Sequence, residues 1–235
     1  MTEYKRSKMT GKLYGIGVGI GDPEDMTLKA VRLIKESDVL ILPRKDISKC
    51  RAYQIALQSV PEIDRIETLA LEFEMVKDKA ERDRNHRQIY EKVKCLIEAG
   101  KTVTFLTIGD PAIYSTYSYI AELAEADGIE TVAVSAVSSI TACANRLGIT
   151  LCDDRQQLHV LPDADDLESA FDRSGTIVLM KSGREIDKIK QSLKGRDVSV
   201  YAVSNCGTDK EKCFRSMEDI PEDADYMMTI IIKES

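Results

Sequence analysis

Gly15-Ile16-Gly17-Val18-Gly19-Ile20-Gly21-Asp22-Pro23 decides how this chain is read, together with its echo Thr107-Ile108-Gly109-Asp110-Pro111. Each follows a short apolar run of strand character, Lys12-Leu13-Tyr14 before the first and Thr102-Val103-Thr104-Phe105-Leu106 before the second. Each precedes a segment with helical spacing. A glycine-rich strand-to-helix turn lets a ligand approach the backbone, because no β-carbon intrudes. It also lies at the carboxyl ends of strands, where open α/β sheets bind ligands. Two such turns in one half of the chain predict one site assembled from both. The standard phosphate readings fail. The alternating glycines leave Ile20 or Asp22 where a dinucleotide fingerprint needs its third glycine, and the next strand, Val39-Leu40-Ile41-Leu42, ends at Pro43-Arg44 without a carboxylate. No Gly-Lys-Ser/Thr follows either loop, so neither is a P-loop.

Outward from these loops, the first half alternates strand and helix. Helical spacing follows the first loop through Met26, Ala30, Leu33 and Ile34. A helix is expected over 49–59, stopped by Pro61, and a short strand over 65–70. Ile89, Val93, Leu96 and Ile97 mark one face of a long helix ending at Gly100. A strand over 101–107 and a helix over 114–126 complete this half. Such repeats imply a mainly parallel sheet. Beyond Gly128 strands are expected over 130–134, 158–161, 176–180 and 197–203, with further strands near Cys213-Phe214-Arg215 and over 226–232. Helices are expected over 138–147, 165–171 and 185–193. The fold class is therefore α/β in two domains, 1–127 with a mainly parallel sheet and 128–235 with a mixed sheet, and the cleft between them is the expected ligand site.

The chain has 235 residues, 43% hydrophobic and 31% charged, with no apolar run that would serve as a signal peptide or span a bilayer. It is expected to be cytoplasmic and off the membrane, with residues 1–9 a loose polar tail. The six cysteines, Cys50, Cys95, Cys143, Cys152, Cys206 and Cys213, form no C-x-x-C pair, so they are expected to be buried small hydrophobes and no metal site is expected. A net charge of −7 argues against nucleic acid. Two basic clusters stand out, Arg44, Lys45, Lys49 and Arg51, then Lys77, Lys79, Arg82, Arg84, His86 and Arg87. Either is a solvated face or a cradle for a ligand with several carboxylates.

Gly17-Val18-Gly19-Ile20-Gly21-Asp22-Pro23, Leu28-Lys29-Ala30, Gly109-Asp110-Pro111 and Val137-Ser138-Ser139-Ile140-Thr141-Ala142-Cys143 occur in that order. Over nearly its whole length the chain resembles the class III tetrapyrrole methyltransferases, which use S-adenosylmethionine. The stretch from Gly109 to Tyr117, followed by Tyr119-Ile120, is most similar to the branch that methylates C-20 of precorrin-2 or of its cobalt complex. The resemblance implies cofactor binding in the interdomain cleft at Gly109, Asp110, Ile113, Ser138, Ser139, Met180 and Ala202. It also implies a first loop, with Gly19 and Gly21, that faces the tetrapyrrole, and a homodimer. The chain departs from the family at Ile20, where a proline is usual, and at Ser135-Ala136, where Pro-Gly is usual. Some relatives carry a candidate base, an Asp, where Pro43 stands here.

The chemistry that this implies needs no covalent intermediate and no metal, because the sulfonium methyl is already activated. Alignment of donor and acceptor supplies roughly 7–11 kcal/mol. Tyr114 and Asp22 are the polar groups expected nearest the ring proton. Tyr114 reads equally as a core aromatic at a helix start, and Asp22 as a helix cap. Arg82, Arg84 and Arg87 are expected to grip rim carboxylates of the substrate. The competing readings are a sibling enzyme that methylates another ring carbon or a diphthamide precursor, and a non-catalytic relative that only binds the cofactor.

Overall fold

The computed structural model describes residues 11–73 and 78–234, so the expected tail at 1–9 and Lys77 of the second basic cluster lie outside it. The chain divides into two compact units, Met1–Val137 and Ser138–Ser235.

The first unit contains β1 (Leu13–Gly17), α1 (Leu28–Lys35), β2 (Val39–Leu42), α2 (Arg51–Ser59), β3 (Glu67–Ala70), α3 (Lys79–Glu98), β4 (Val103–Thr107), α4 (Tyr117–Ala126) and β5 (Thr131–Val134). All its strand pairs are parallel, in the order β3-β2-β4-β1-β5. The period-2 alternation of a strand splits these apolar runs between two cores. Leu40, Leu42, Ile16 and Leu106 pack with residues of α1 and α2. Val39, Ile41, Leu13, Val103 and Phe105 pack with residues of α3 and α4 on the other face. This is why β2 and β4 read as continuous apolar runs: both faces are covered. The helix starts are capped locally. The Thr27 hydroxyl accepts from the Ala30 amide at 3.2 Å, and Asp78 accepts from the Glu81 amide at 2.8 Å.

Two expectations are corrected here. The strand after Gly128 pairs with β1, so β5 is the edge of the first sheet, and the compact units part after Val137 rather than near Ala126-Asp127-Gly128. The helix expected from residue 114 starts at Tyr117. Tyr114 has φ 45°, which cannot begin a right-handed helix, and the buried Ser115 hydroxyl lies 3.0 Å from Thr107 Oγ1, pinning the turn beneath it.

The second unit contains α5 (Ser139–Leu147), β6 (Leu158–Leu161), α6 (Leu167–Ala170), β7 (Thr176–Met180), α7 (Ile186–Leu193), β8 (Val198–Ser204), β9 (Lys212–Phe214) and β10 (Met228–Glu234). Its sheet order is β6-β7-β10-β8-β9, parallel only at β6–β7, which makes it mixed as expected. Gly148 ends α5 in the left-handed conformation, φ 65°. The cysteines divide. Cys50, Cys143 and Cys206 are buried, as expected of small hydrophobes, whereas Cys95 and Cys213 are exposed and Cys152 is half-buried. A hydrogen bond to Cys143, and burial after it, push the Cys206 thiol well above the ordinary thiol range. Among the described residues no helix is long and apolar enough to cross a membrane.

Candidate active site

In the first unit the two glycine loops meet. The Gly109 amide donates to the Gly19 carbonyl at 2.8 Å, the Val18 amide donates to Thr107 at 3.0 Å, and Gly19 and Gly109 form an isolated antiparallel bridge. The glycines have different jobs. Gly15 and Gly17 lie inside β1, where a β-carbon would meet the Tyr117 ring at 2.4 Å or the Gly109 carbonyl at 2.3 Å. They permit close packing. Gly19 and Gly109 adopt φ 74° and 72°, a region that favours glycine. A β-carbon on Gly109 would meet nothing within 4 Å, so the loop offers its backbone to open space.

Asp110 fixes the neighbouring segment. Its Oδ1 accepts from the Ala112 amide at 2.9 Å and its Oδ2 from the Ala136 amide at 2.8 Å. Ala136 is not among the residues at positive φ, so the turn that departs from the family pattern is held by this carboxylate rather than by a glycine conformation. Ile113 is half-buried, and its amide donates to the Asp110 carbonyl at 3.2 Å. Ile20, where the family usually has a proline, does not face the ligand side. Its side chain is 5% exposed and packed inward, while its carbonyl accepts from Arg51 at 3.1 Å. Asp22 caps a short 3-10 turn through Oδ1, which accepts from the Glu24 amide at 2.9 Å, and Gly21 beside it is half-buried. Tyr114 is 49% exposed, so the reading as a core aromatic is corrected.

The basic clusters are largely spent or dispersed. Lys45 pairs with Glu72, Lys49 with Asp46 and Lys79 with Asp83. Arg84 and Arg87 are exposed on α3, whereas Arg82 turns toward the buried face, its Nε buried and unpaired among the described residues. One turn on from Arg82, His86 is buried between Phe73, at 5.7 Å, and the stacked Tyr119 ring, at 4.5 Å. That burial lowers its pKa.

In the second unit, Ser138 is the N-cap of α5 and Ser139 its first residue, and the Ser138 hydroxyl does not cap the helix. Met180 ends β7 and Ala202 lies inside β8, fully buried. They pair with Thr229 and Ile230, neighbours on β10. Two residues that sequence reasoning missed stand at the same edge: Lys181 after β7 and Asn205 after β8, at φ 57° and 50°.

The family profile described as Tetrapyrrole (Corrin/Porphyrin) Methylases matches residues 12–220. The chain belongs to that family. This methylase is 35% identical over 232 residues to a protein of Methanocaldococcus jannaschii named probable cobalt-precorrin-2 C(20)-methyltransferase, covering 97% of this chain and 98% of that one. It is 27% identical over 237 residues to the cobalt-precorrin-2 C(20)-methyltransferase of Salmonella typhimurium, covering 96% and 98%. The fold of the methylase matches that of the uroporphyrin-III C-methyltransferase of Thermus thermophilus, solved with S-adenosylhomocysteine, at TM-score 0.69 and 24% identity over 95% of this chain and 98% of that one.

Proposed function

We propose that this methylase transfers a methyl group from S-adenosylmethionine to the C-20 meso carbon of precorrin-2 or its cobalt complex, a step in corrin ring biosynthesis. The observation that carries this reading is the full-length likeness to proteins named for that reaction. The open face of Gly109, stapled to Gly19, is a cradle that a β-carbon would fill, and it fits a cofactor held by backbone groups. Gly109, Asp110 and Ile113 of the first unit and Ser138, Ser139, Met180 and Ala202 of the second are the proposed cofactor positions.

Bound S-adenosylmethionine supplies an activated methyl on a sulfonium. The work of the chain is then to hold and align its ligands. Gly19 and Gly21 present backbone to the tetrapyrrole. Arg84 and Arg87, exposed and on one side of α3, pair with rim carboxylates together with Arg82, which is half-buried and whose own Nε is out of reach of a ligand. Asp22, whose Oδ1 accepts from the Glu24 amide, is the proposed base for the ring proton, with the Tyr114 hydroxyl as a hydrogen-bonding group beside it. The enzyme acts as a homodimer in the cytoplasm. This is supported by six cysteines left as thiols and by Leu28, 89% exposed at the start of α1, an apolar side chain offered to a partner.

Incubation with methyl-labelled S-adenosylmethionine and precorrin-2, with and without inserted cobalt, tests the reading. Label is expected in the tetrapyrrole. Cofactor binding with no transfer to either form would favour the non-catalytic reading.

A further inference from the structure

β7 and β8 both run antiparallel to β10, so they end at one edge of the second sheet. Each is followed by a residue that is not glycine yet lies at positive φ, Lys181 after β7 and Asn205 after β8. A β-carbon disfavours that conformation. It persists only where the surroundings over-determine it. They do so at Lys181. The Ser182 amide donates to the Met228 carbonyl at 3.3 Å, and the Ser182 hydroxyl, fully buried, donates to Met180 at 3.1 Å. Gly183 packs so closely that a β-carbon would stand 1.9 Å from the Asp225 carbonyl. Asn205 is held in the same way by its amide, which donates to Met227 at 2.8 Å.

The turn therefore presents a lysine at a fixed place, directly after Met180. The side chain has no ion pair or hydrogen bond among the described residues. The side chain is exposed, yet the protein packed around it lowers its pKa, and no carboxylate among the described residues opposes that. Lys12, Lys94 and Lys188 show the contrast: each has a carboxylate partner, Glu130, Asp127 and Asp165 respectively, that raises its pKa. An exposed ammonium with no counter-ion among the described residues, on a backbone that is fixed in place, is free to pair with an anion that reaches this edge. The lack of an acidic partner among the described residues points outward, to a ligand.

We propose that Lys181 is a carboxylate anchor, its ammonium group pairing with a carboxylate of a bound ligand at the edge where β7 and β8 end. The proposal rests on the methyltransferase reading above. It leaves two sources for one chemistry: the amino-acid carboxylate of the cofactor and an acidic arm of the tetrapyrrole.

Calorimetric titration of wild type, Lys181→Met, Lys181→Arg and Lys181→Gly with S-adenosylhomocysteine, 5′-methylthioadenosine and precorrin-2 separates these. Lys181→Met is expected to weaken one carboxylate ligand at least tenfold, and Lys181→Arg to restore most of the loss. If S-adenosylhomocysteine is the ligand weakened while 5′-methylthioadenosine, which lacks the carboxylate, is not, the anchor holds the cofactor. If precorrin-2 is weakened, it holds the substrate. Lys181→Gly is expected to raise the thermal midpoint while weakening the same ligand, an opposition that a purely structural lysine would not produce. Wild-type binding of both ligands, with Lys181→Met within twofold for each, overturns the anchor and leaves the methyltransferase reading intact. Wild-type binding of neither ligand overturns both.

Discussion

At the carboxyl edge of the first sheet the chain turns on Gly19 and Gly109, φ 74° and 72°; at the carboxyl edge of the second it turns on Lys181 and Asn205, φ 57° and 50°. The backbone problem is the same and the residues differ. Glycine solves it without strain and leaves bare peptide groups facing outward. Lysine and asparagine solve it at a cost of roughly 1–2 kcal/mol each and leave a functional group on the turn. A bare edge suits close approach of a ligand to peptide groups. A decorated edge suits recognition of a charge.

Substitutions that separate packing from ligand contact break this comparison most sharply. Gly17→Ala in the first unit and Gly183→Ala in the second drive a β-carbon into a backbone carbonyl, at 2.3 Å and 1.9 Å. Each is expected to destabilise its unit by about 3 kcal/mol, the upper end for overpacking, because a carbonyl cannot rotate away as a side chain can. Denaturant titration reads this directly. Gly109→Ala meets open space, so its stability loss is only the roughly 1–2 kcal/mol of the left-handed backbone. Its affinity for S-adenosylhomocysteine is nevertheless expected to fall about tenfold, or about 1.4 kcal/mol. Unchanged affinity would take the open face of Gly109 out of the site.

Asp110 joins the loop after β4 to the end of the first unit. Asp110→Ala strands the Ala136 amide and is expected to lose about 1–3 kcal/mol of stability. Asp110→Asn retains an acceptor oxygen and should lose less, as comparison of the two melting curves would establish. On α3, Arg84→Gln with Arg87→Gln removes two exposed charges. Stability should stay within about 0.5 kcal/mol while tetrapyrrole affinity falls. An unchanged affinity would return these residues to the solvated face.

The smallest expected effect is a pH dependence. His86 has a folded pKa below its unfolded value of about 6.5, because burial disfavours its charge. The unfolded chain therefore takes up the proton first as pH falls. The contribution of His86 is intact above pH about 6.5 and is lost as the medium acidifies toward the folded pKa, below which the loss levels off. Thermal midpoints of wild type and His86→Gln between pH 7.5 and 5.5 should converge in acid; parallel curves would exclude the effect.

Much of the first unit was legible because its inner strands β2 and β4 are buried on both faces and its helices carry one buried stripe. Val39–Leu42 and Val103–Thr107 announce themselves as buried strands. The junction was not legible. Nothing in Thr131-Val132-Ala133-Val134 states which sheet its backbone will join, since any neighbour with free hydrogen-bonding groups satisfies it. The glycine loops were visible as a pair, but only coordinates separate Gly15 and Gly17, which pack, from Gly19 and Gly109, which turn. The split among the arginines could have been found: at about 100° per residue, Arg82 and Arg84 lie on opposite sides of a helix. Lys181 could not, because no pattern of residue types marks a lysine forced to positive φ by the packing of Gly183 and the burial of Ser182.

The central claim is the destination of the methyl group, and carbon NMR of the product tests it most directly. With cofactor enriched in carbon-13 at the methyl and precorrin-2 or its cobalt complex as acceptor, the account predicts a single enriched methyl bonded to C-20. Enrichment at any other ring carbon, or in no tetrapyrrole product, would contradict it.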